Sequence, residues 1–105
     1  MAVILLALFK RPEGGDEAMA TFMRRYRSEH LPLIAKVPGL RSTKVYEVTQ
    51  KYAGDDIVVA TRMKFDDKES LDAGMASPEM RDAGRILRDI APRLVTLLAL
   101  DDPAE

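Results

Sequence analysis

The chain of 105 residues has no cysteine, no tryptophan and a single histidine, His30. Without cysteine it can form no disulfide, offers no thiolate nucleophile and cannot hold a zinc ion or an iron–sulfur cluster through sulfur. One histidine also excludes a multi-histidine metal site within one subunit, so no metal site is predicted. The absence of cysteine agrees with a reducing compartment, and we expect a cytoplasmic protein.

The chain also lacks a charge excess, since 16 Lys and Arg residues face 17 Asp and Glu residues. Nucleic-acid-binding proteins usually carry a basic excess or a basic stripe, so we expect no nucleic-acid partner. The apolar run at residues 2–9 is far shorter than the ~20 residues of a membrane-spanning helix. It also has neither the preceding basic residues nor the cleavage pattern of a signal peptide. We therefore expect no membrane partner.

Hydrophobic residues make up 47% of the chain, and glycine and proline contribute only six residues each. A chain of this length buries about 60–70% of the surface that its unfolded form exposes, which is enough for one core but not for two. The sequence therefore predicts a single domain over residues 1–105, with an ordered core at about 3–100 and a solvated tail at 101–105.

Four segments have the patterns of β-strands. Residues 3–9 and 94–100 are apolar at almost every position, which is typical of strands buried on both faces. Residues 40–49 and 57–65 alternate apolar with polar side chains, and a glycine-containing turn between them predicts a hairpin.

Helical periodicity fills the remaining segments. Residues 16–29 form an amphipathic pattern for which Asp16 is the expected N-cap. Asp66 is the expected N-cap of a short helix, and Ser77 that of a longer helix that ends before Pro92. The order β-α-β-β-α-β predicts an α+β, ferredoxin-like fold in which helices cover one face of a four-stranded antiparallel sheet.

The uncovered face of such a sheet is a problem for a monomer. The first and last strands are apolar on both faces, and monomers rarely expose a large contiguous apolar patch. Closed two-fold dimers are the commonest soluble oligomers. The sequence therefore predicts a homodimer in which two copies pack sheet against sheet.

Several segments in this order carry a family resemblance. They are Leu-Leu-Ala-Leu-Phe-Lys-Arg-Pro at 5–12, Phe22 and Tyr26, Ser-Glu-His-Leu-Pro-Leu at 28–33, Val-Pro-Gly-Leu at 37–40 and Ala-Ser-Pro-Glu at 76–79. Together they resemble the EthD family of the dimeric α/β barrel superfamily, over residues 5 to about 100.

The resemblance implies subunits that pair into a barrel, each with a cavity between sheet and helices, similar to small monooxygenases, muconolactone isomerase and polyketide cyclases. It implies a hydrophobic or aromatic ligand and cofactor-free monooxygenase, isomerase or cyclase chemistry in a catabolic pathway. The family is named after a gene cluster for ethyl tert-butyl ether degradation, in which its role looks accessory. The alternative is therefore a non-catalytic accessory or ligand-carrier protein of a degradation operon. A haem-degrading monooxygenase is least favoured, because relatives with that activity carry their axial histidine elsewhere.

His30 is the candidate catalytic residue, because imidazole has an ordinary pKa near neutrality and suits a general acid or base. It follows Tyr26 by four residues, so the two share one helix face and Tyr26 is a candidate ligand-binding residue. The alternative for His30 is a contact with the last carbonyls of its own helix. For Tyr26 the alternative is plain core packing.

Arg62 and Tyr46 are the other candidate ligand-binding residues. Arg62 lies on the strand face opposite Met63, where its guanidinium could bind a carboxylate or enolate oxygen and stabilise an oxyanion. The alternative is that Arg62 is a solvated or intersubunit charge, and that Tyr46 packs on the sheet. A third set, Arg81, Arg85 and Arg88, alternates with aspartates and is interpreted as a solvated helix face without a function.

Overall fold

The computed structural model describes residues 1–103 and has the predicted element order. The elements are β1 Ala2–Lys10, α1 Gly15–Arg25, a π-helical turn Tyr26–His30, α2 Leu31–Ile34, β2 Leu40–Glu47, β3 Ile57–Phe65, α3 Lys68–Met75, α4 Pro78–Ile90 and β4 Val95–Asp102. The tail predicted at 101–105 is wrong at its start, because Asp101 and Asp102 extend β4 along β1. Residues 104–105 of that predicted tail lie outside the described residues.

The four strands form one antiparallel sheet in the order β2-β3-β1-β4, which confirms the α+β, ferredoxin-like fold. The central strands β1 and β3 pair with Leu5 opposite Met63 and Ala7 opposite Thr61. These odd-numbered side chains point toward the helices and are buried. Even-numbered side chains of both strands point to the other face, since successive residues of a strand alternate.

The core lies between the sheet and the helices and is centred on aromatic rings. Phe9 of β1 is fully buried, and its ring centroid lies 5.6 Å from that of Phe22 and 5.1 Å from that of Tyr26. Aromatic pairs at such separations stabilise a core beyond the area they bury. The apolar stripe of the first helix is thereby fixed against β1.

The first helix begins one residue before the predicted N-cap. Gly14 holds the N-cap position with φ of 111°, and Asp16 lies in the first turn. A side chain at residue 14 would also place its Cβ 2.9 Å from the Cβ of Ala18. Gly14 therefore occupies the N-cap position without a side-chain hydrogen bond, and the prediction of Asp16 as the N-cap is wrong.

The next predicted N-cap, Asp66, is also wrong by one residue. Asp67 caps α3, and its carboxylate accepts a hydrogen bond from the backbone N–H of Ser70 at 2.8 Å. Asp66 instead pairs with Arg41 at 2.6 Å, since its side chain points across to β2. The predicted cap of α4 is confirmed, because Ser77 Oγ accepts a hydrogen bond from the backbone N–H of Met80 at 3.1 Å.

The face of the sheet opposite the helices is partly apolar and open. Leu98 and Leu100 of β4 are 42% and 41% exposed there, and Tyr46 of β2 is 43% exposed. We call this surface the open face; within residues 1–103 no helix packs against it. In the same part of the chain, none of the helices has the length and apolar character needed to cross a membrane.

Candidate functional site

A cavity of about 420 Å³ lies between the helix-covered face of the sheet and the helices. Its floor is made by β1, β3 and β4, and its walls by the π-helical turn, α2, the end of α3 and α4. The side chains and backbone that line it belong to Leu5, Ala7, Phe9, Tyr26, His30, Ile34, Met63, Met75, Ala76, Ser77, Met80, Arg81, Gly84, Leu87, Arg88 and Leu97.

The π-helical turn Tyr26–His30 replaces the end of the helix predicted at 16–29. The backbone N–H of Leu31 donates to the carbonyl of Tyr26, five residues earlier, so the turn is wider than an α-helical turn. Pro32 follows at once; it has no N–H, and its ring would clash with the carbonyl four residues before it in a regular helix. Widened turns of this kind often occur at functional sites.

His30 is the last residue of the π-helical turn; it is 5% exposed and contacts α4. Its Nδ1 lies 3.0 Å from the carbonyl oxygen of Ala83, inside α4. The predicted alternative, a contact with the last carbonyls of its own helix, is therefore wrong. Because a carbonyl only accepts, Nδ1 carries the proton in the neutral ring and Nε2 is left as an acceptor.

The free Nε2 of His30 faces the cavity. Within residues 1–103 it has no hydrogen-bond partner. Every fully inaccessible side-chain nitrogen or oxygen in these residues does have a partner, so Nε2 is not fully inaccessible. Nε2 is therefore reached from the cavity that His30 lines. Burial lowers the pKa of the imidazole below its ordinary value, and the bond to Ala83 opposes this shift only in part. The ring is neutral, with an acceptor directed into the cavity, near pH 7.

Tyr26 lies beneath His30 and is held by a buried hydroxyl pair. Its OH lies 2.5 Å from Oγ1 of Thr61 on β3, and both residues are only 1% exposed. Burial raises the pKa of the Tyr26 hydroxyl to about 12, against the opposing effect of the Thr61 hydrogen bond. The phenol therefore stays protonated near neutral pH and positions the ring on which His30 lies.

Most of the remaining lining is apolar, and part of it is left accessible. Leu97 of β4 is 47% exposed and Met75 at the end of α3 is 41% exposed, although both line the cavity. The six methionines of the sequence predict adaptable apolar lining or ordinary core filling, and Met75 and Met63 do line the cavity; Leu97 is not predicted as a site residue. One feature of the sequence could have identified Leu97 as a cavity residue. The strand β4 is apolar on both faces, although it lies at the edge of the sheet.

Arg81 and Arg88 of α4 stand at the mouth of the cavity, both exposed to solvent. The sequence predicts no function for them, and the structure separates them from Arg85, which does not line the cavity. Their spacing of seven residues is two helical turns, so it places both on one face of α4. In residues 1–103 no three His, Cys, Asp or Glu side chains form a group that could hold a metal ion.

Arg62 and Tyr46, two of the predicted site residues, lie on the open face and not in the cavity. Arg62 stands 3.9 Å from the carboxylate of Asp102, and Tyr46 pairs across the strands with Ala60. The structure therefore brings His30 and Tyr26 together and separates both from Arg62 by the thickness of the sheet. Arg62 cannot act on a ligand beside His30 of the same subunit.

Comparison with solved structures finds this fold in several proteins over nearly the whole chain. An EthD family protein from Bacillus halodurans C-125 is 32% identical, with 98% of this chain and 100% of that chain covered and a TM-score of 0.87. A dimeric protein with a ferredoxin-like fold from Bacteroides fragilis NCTC 9343 is 22% identical, with 96% of each chain covered and a TM-score of 0.70. SnoaB, a cofactor-independent oxygenase from Streptomyces nogalater, is 14% identical, with 99% of this chain and 95% of that chain covered and a TM-score of 0.67.

The comparison with family models finds no match, and neither does the comparison with curated proteins. The Bacteroides protein and SnoaB are too distant in sequence to show more than the fold. The Bacillus protein is different, because 32% identity extends over 98% of this chain together with the fold. This agreement confirms the resemblance found in the sequence segments around His30, and the chain belongs to the EthD family.

Proposed function

We propose that the protein binds a hydrophobic, aromatic or oxygenated small molecule in the cavity, and that His30 accepts a proton from it. The observation that carries this proposal is that the carbonyl of Ala83 engages Nδ1 of the buried His30 while the ring lines an apolar cavity. A ring that is fixed through one nitrogen and has its other nitrogen without a partner is suited to accept a proton from a ligand.

The cavity has the size and character of a ligand site. Its volume of about 420 Å³ lies in the range of small-molecule pockets, which are mostly apolar with a few converging polar groups. Leu97 on the floor and Met75 on the wall both line the cavity and leave much of their apolar surface uncovered. A ligand that covers this surface gains free energy from its removal from water.

A base at His30 suits reactions that begin with the loss of a proton from an acidic C–H or O–H group. Isomerisations, cyclisations and cofactor-free oxygenations of aromatic or enolic compounds can begin in this way. The oxygenase SnoaB shares the fold, which supports such chemistry here by analogy of fold alone. Burial lowers the pKa of His30 and so favours the unprotonated form that a base requires.

The test is a pair of probes that differ in one proton donor. 2-Naphthol and 2-methylnaphthalene have the same ring system, but only the naphthol can donate to Nε2 of His30. We expect His30→Phe to weaken 2-naphthol binding about five- to tenfold, the loss of one hydrogen bond. Binding of 2-methylnaphthalene should stay within about twofold. Since the chain has no Trp, naphthalene fluorescence reports binding without a tryptophan background.

A matched pair of alanine substitutions checks that the probes occupy the cavity. Ala76 and Ala73 are both exposed near the end of α3, but only Ala76 lines the cavity. Ala76→Phe should weaken both probes, whereas Ala73→Phe should weaken neither. Equal binding of 2-naphthol to the wild type and to folded His30→Phe would contradict the role of His30 and favour a ligand carrier. The wild type gives a second readout, because 2-naphthol binding should weaken once acid protonates Nε2.

We also propose that two copies of the chain pack through the open face. The exposed Leu98 and Leu100 form an apolar surface there, adjoining Leu6 of β1, which lies opposite Leu98. Burial of such a surface against a second copy stabilises both copies. The dimeric Bacteroides protein of the same fold supports this assembly by analogy.

A further inference from the structure

The mouth of the cavity carries positive charge. Arg81 and Arg88 project from α4 beside the opening, and the residues that line the cavity include no aspartate or glutamate. His30 adds no charge when it is neutral. The cavity therefore has an apolar interior with a neutral acceptor at its buried end and two guanidinium groups at its solvent end.

These two arginines differ from Arg85 and Asp89 of the same helix, each of which has an ion-pair partner. Arg85 pairs with Asp82 one turn away, and Asp89 pairs with Arg25 of α1 at 2.8 Å. In residues 1–103 neither Arg81 nor Arg88 forms an ion pair. Asp82 and Asp89 of α4 are thus engaged by other arginines, and the guanidinium groups of Arg81 and Arg88 keep their donors available at the mouth.

Gly84 brings Arg88 to the cavity. It lies one turn before Arg88 on the same face of α4, and a Cβ at residue 84 would stand 3.6 Å from Nη1 of Arg88. The guanidinium of Arg88 therefore lies over the bare backbone at Gly84, which itself lines the cavity. Arg81 and Arg88 thus lie one on each side of Gly84, where the helix carries no side chain.

We propose that the ligand of this cavity is an apolar or aromatic carboxylate, whose anionic group binds Arg81 and Arg88 while its ring system extends toward His30. The inference rests on the proposed binding function and adds the ligand class. A guanidinium can bind a carboxylate through two parallel hydrogen bonds, and an anion at the mouth stays in contact with water. Such a site avoids the cost of burying a charge within the apolar interior.

The experiment compares 2-naphthoate with the neutral, nearly isosteric 2-naphthamide. We expect the wild type to bind 2-naphthoate about tenfold more tightly than the amide, and added salt to reduce that preference. Arg81→Gln and Arg88→Gln should each weaken 2-naphthoate about threefold and together about tenfold, while the amide is unaffected. Arg85→Gln is the matched control, because Arg85 is exposed on the same helix but does not line the cavity.

The outcomes separate this inference from the proposed function. His30 is the single histidine, so its NMR resonance reports directly whether a probe enters the cavity. If both probes shift that resonance with equal affinity and the arginine variants change nothing, the anionic ligand class is wrong and the apolar binding site stands. If neither probe shifts it, the proposed binding function fails and the ligand class fails with it. All three positions are solvent-exposed, so unchanged melting temperatures are expected for the variants.

Discussion

The imidazole of His30 lies stacked on the ring of Tyr26, with centroids 5.1 Å apart and planes 22° from parallel. The stack continues downward, because the ring of Tyr26 is also stacked on Phe22 at 5.6 Å. The three residues are spaced by four along the chain, and the π-helical turn lies at the His30 end of this stack. A titratable ring is thus held at the cavity by apolar packing on one side and a single hydrogen bond on the other.

The buried neutral state of His30 predicts a loss of stability in acid. Its pKa is lowered in the folded state, so below about pH 6.5 the unfolded chain binds a proton that the folded chain does not. The free energy of unfolding should therefore fall as the pH falls from about 6.5 toward the folded pKa. Urea denaturation at fixed protein concentration measures this, with His30→Phe as the variant that lacks the contribution. An NMR titration of His30 with a midpoint at or above about 6.5 would contradict it.

The buried hydroxyl pair of Tyr26 and Thr61 should couple energetically. Removal of either hydroxyl leaves the other without its side-chain partner, and we expect Tyr26→Phe and Thr61→Val each to cost about 1–2 kcal/mol of stability. The double variant should cost less than the sum of the two by about 1 kcal/mol, since it leaves no orphaned hydroxyl. A double-mutant cycle by chemical denaturation measures the coupling. Additive single effects would show that the hydroxyls do not stabilise one another.

Two helical glycines should respond in opposite ways to alanine. At Gly74 of α3 a Cβ would stand 2.9 Å from a ring carbon of the fully buried Phe65, and 3.1 Å from the carbonyl oxygen of Pro38. Gly74→Ala should therefore destabilise the protein by about 1–3 kcal/mol. Gly84→Ala has no contact closer than 3.6 Å and should stabilise α4 by up to about 1 kcal/mol. Thermal or urea denaturation tests both, and a stabilised Gly74→Ala would disprove the close approach of α3 to the core.

The proposed dimer predicts a specific response at the open face. Leu98→Asp places a charge among the exposed apolar side chains and should shift the protein from dimer to monomer in light-scattering measurements. Tyr52→Asp is the control, because Tyr52 is 90% exposed in the loop before β3 and away from the strands. It should leave the mass unchanged. A wild-type protein that is monomeric at micromolar concentration would overturn the proposal.

Much of the fold follows from local sequence patterns. The alternation in β3 and the apolar run in β1 reveal strands because side chains of a strand alternate between two faces. Ser77 and Pro78 mark the start of α4 through local hydrogen bonding and backbone geometry. The predictions of Asp16 and Asp66 as N-caps are wrong, because contacts with other residues help to decide which residue caps each helix. Ala18 lies close to the backbone at Gly14, and Arg41 of β2 engages Asp66.

Local sequence patterns are enough to predict the element order and the sheet that this order produces, and the sequence identifies His30 as the one imidazole. Which residues meet around His30 depends on how the helices pack on the sheet. Strand alternation separates Arg62 from Met63, but only the packing of the helices shows that Met63 faces the cavity and Arg62 the open face. In the same way, the roles of Arg81 and Arg88 depend on how α4 lies across the sheet. Local patterns encode the faces of each element, whereas a site is made by the contacts between elements distant in the chain.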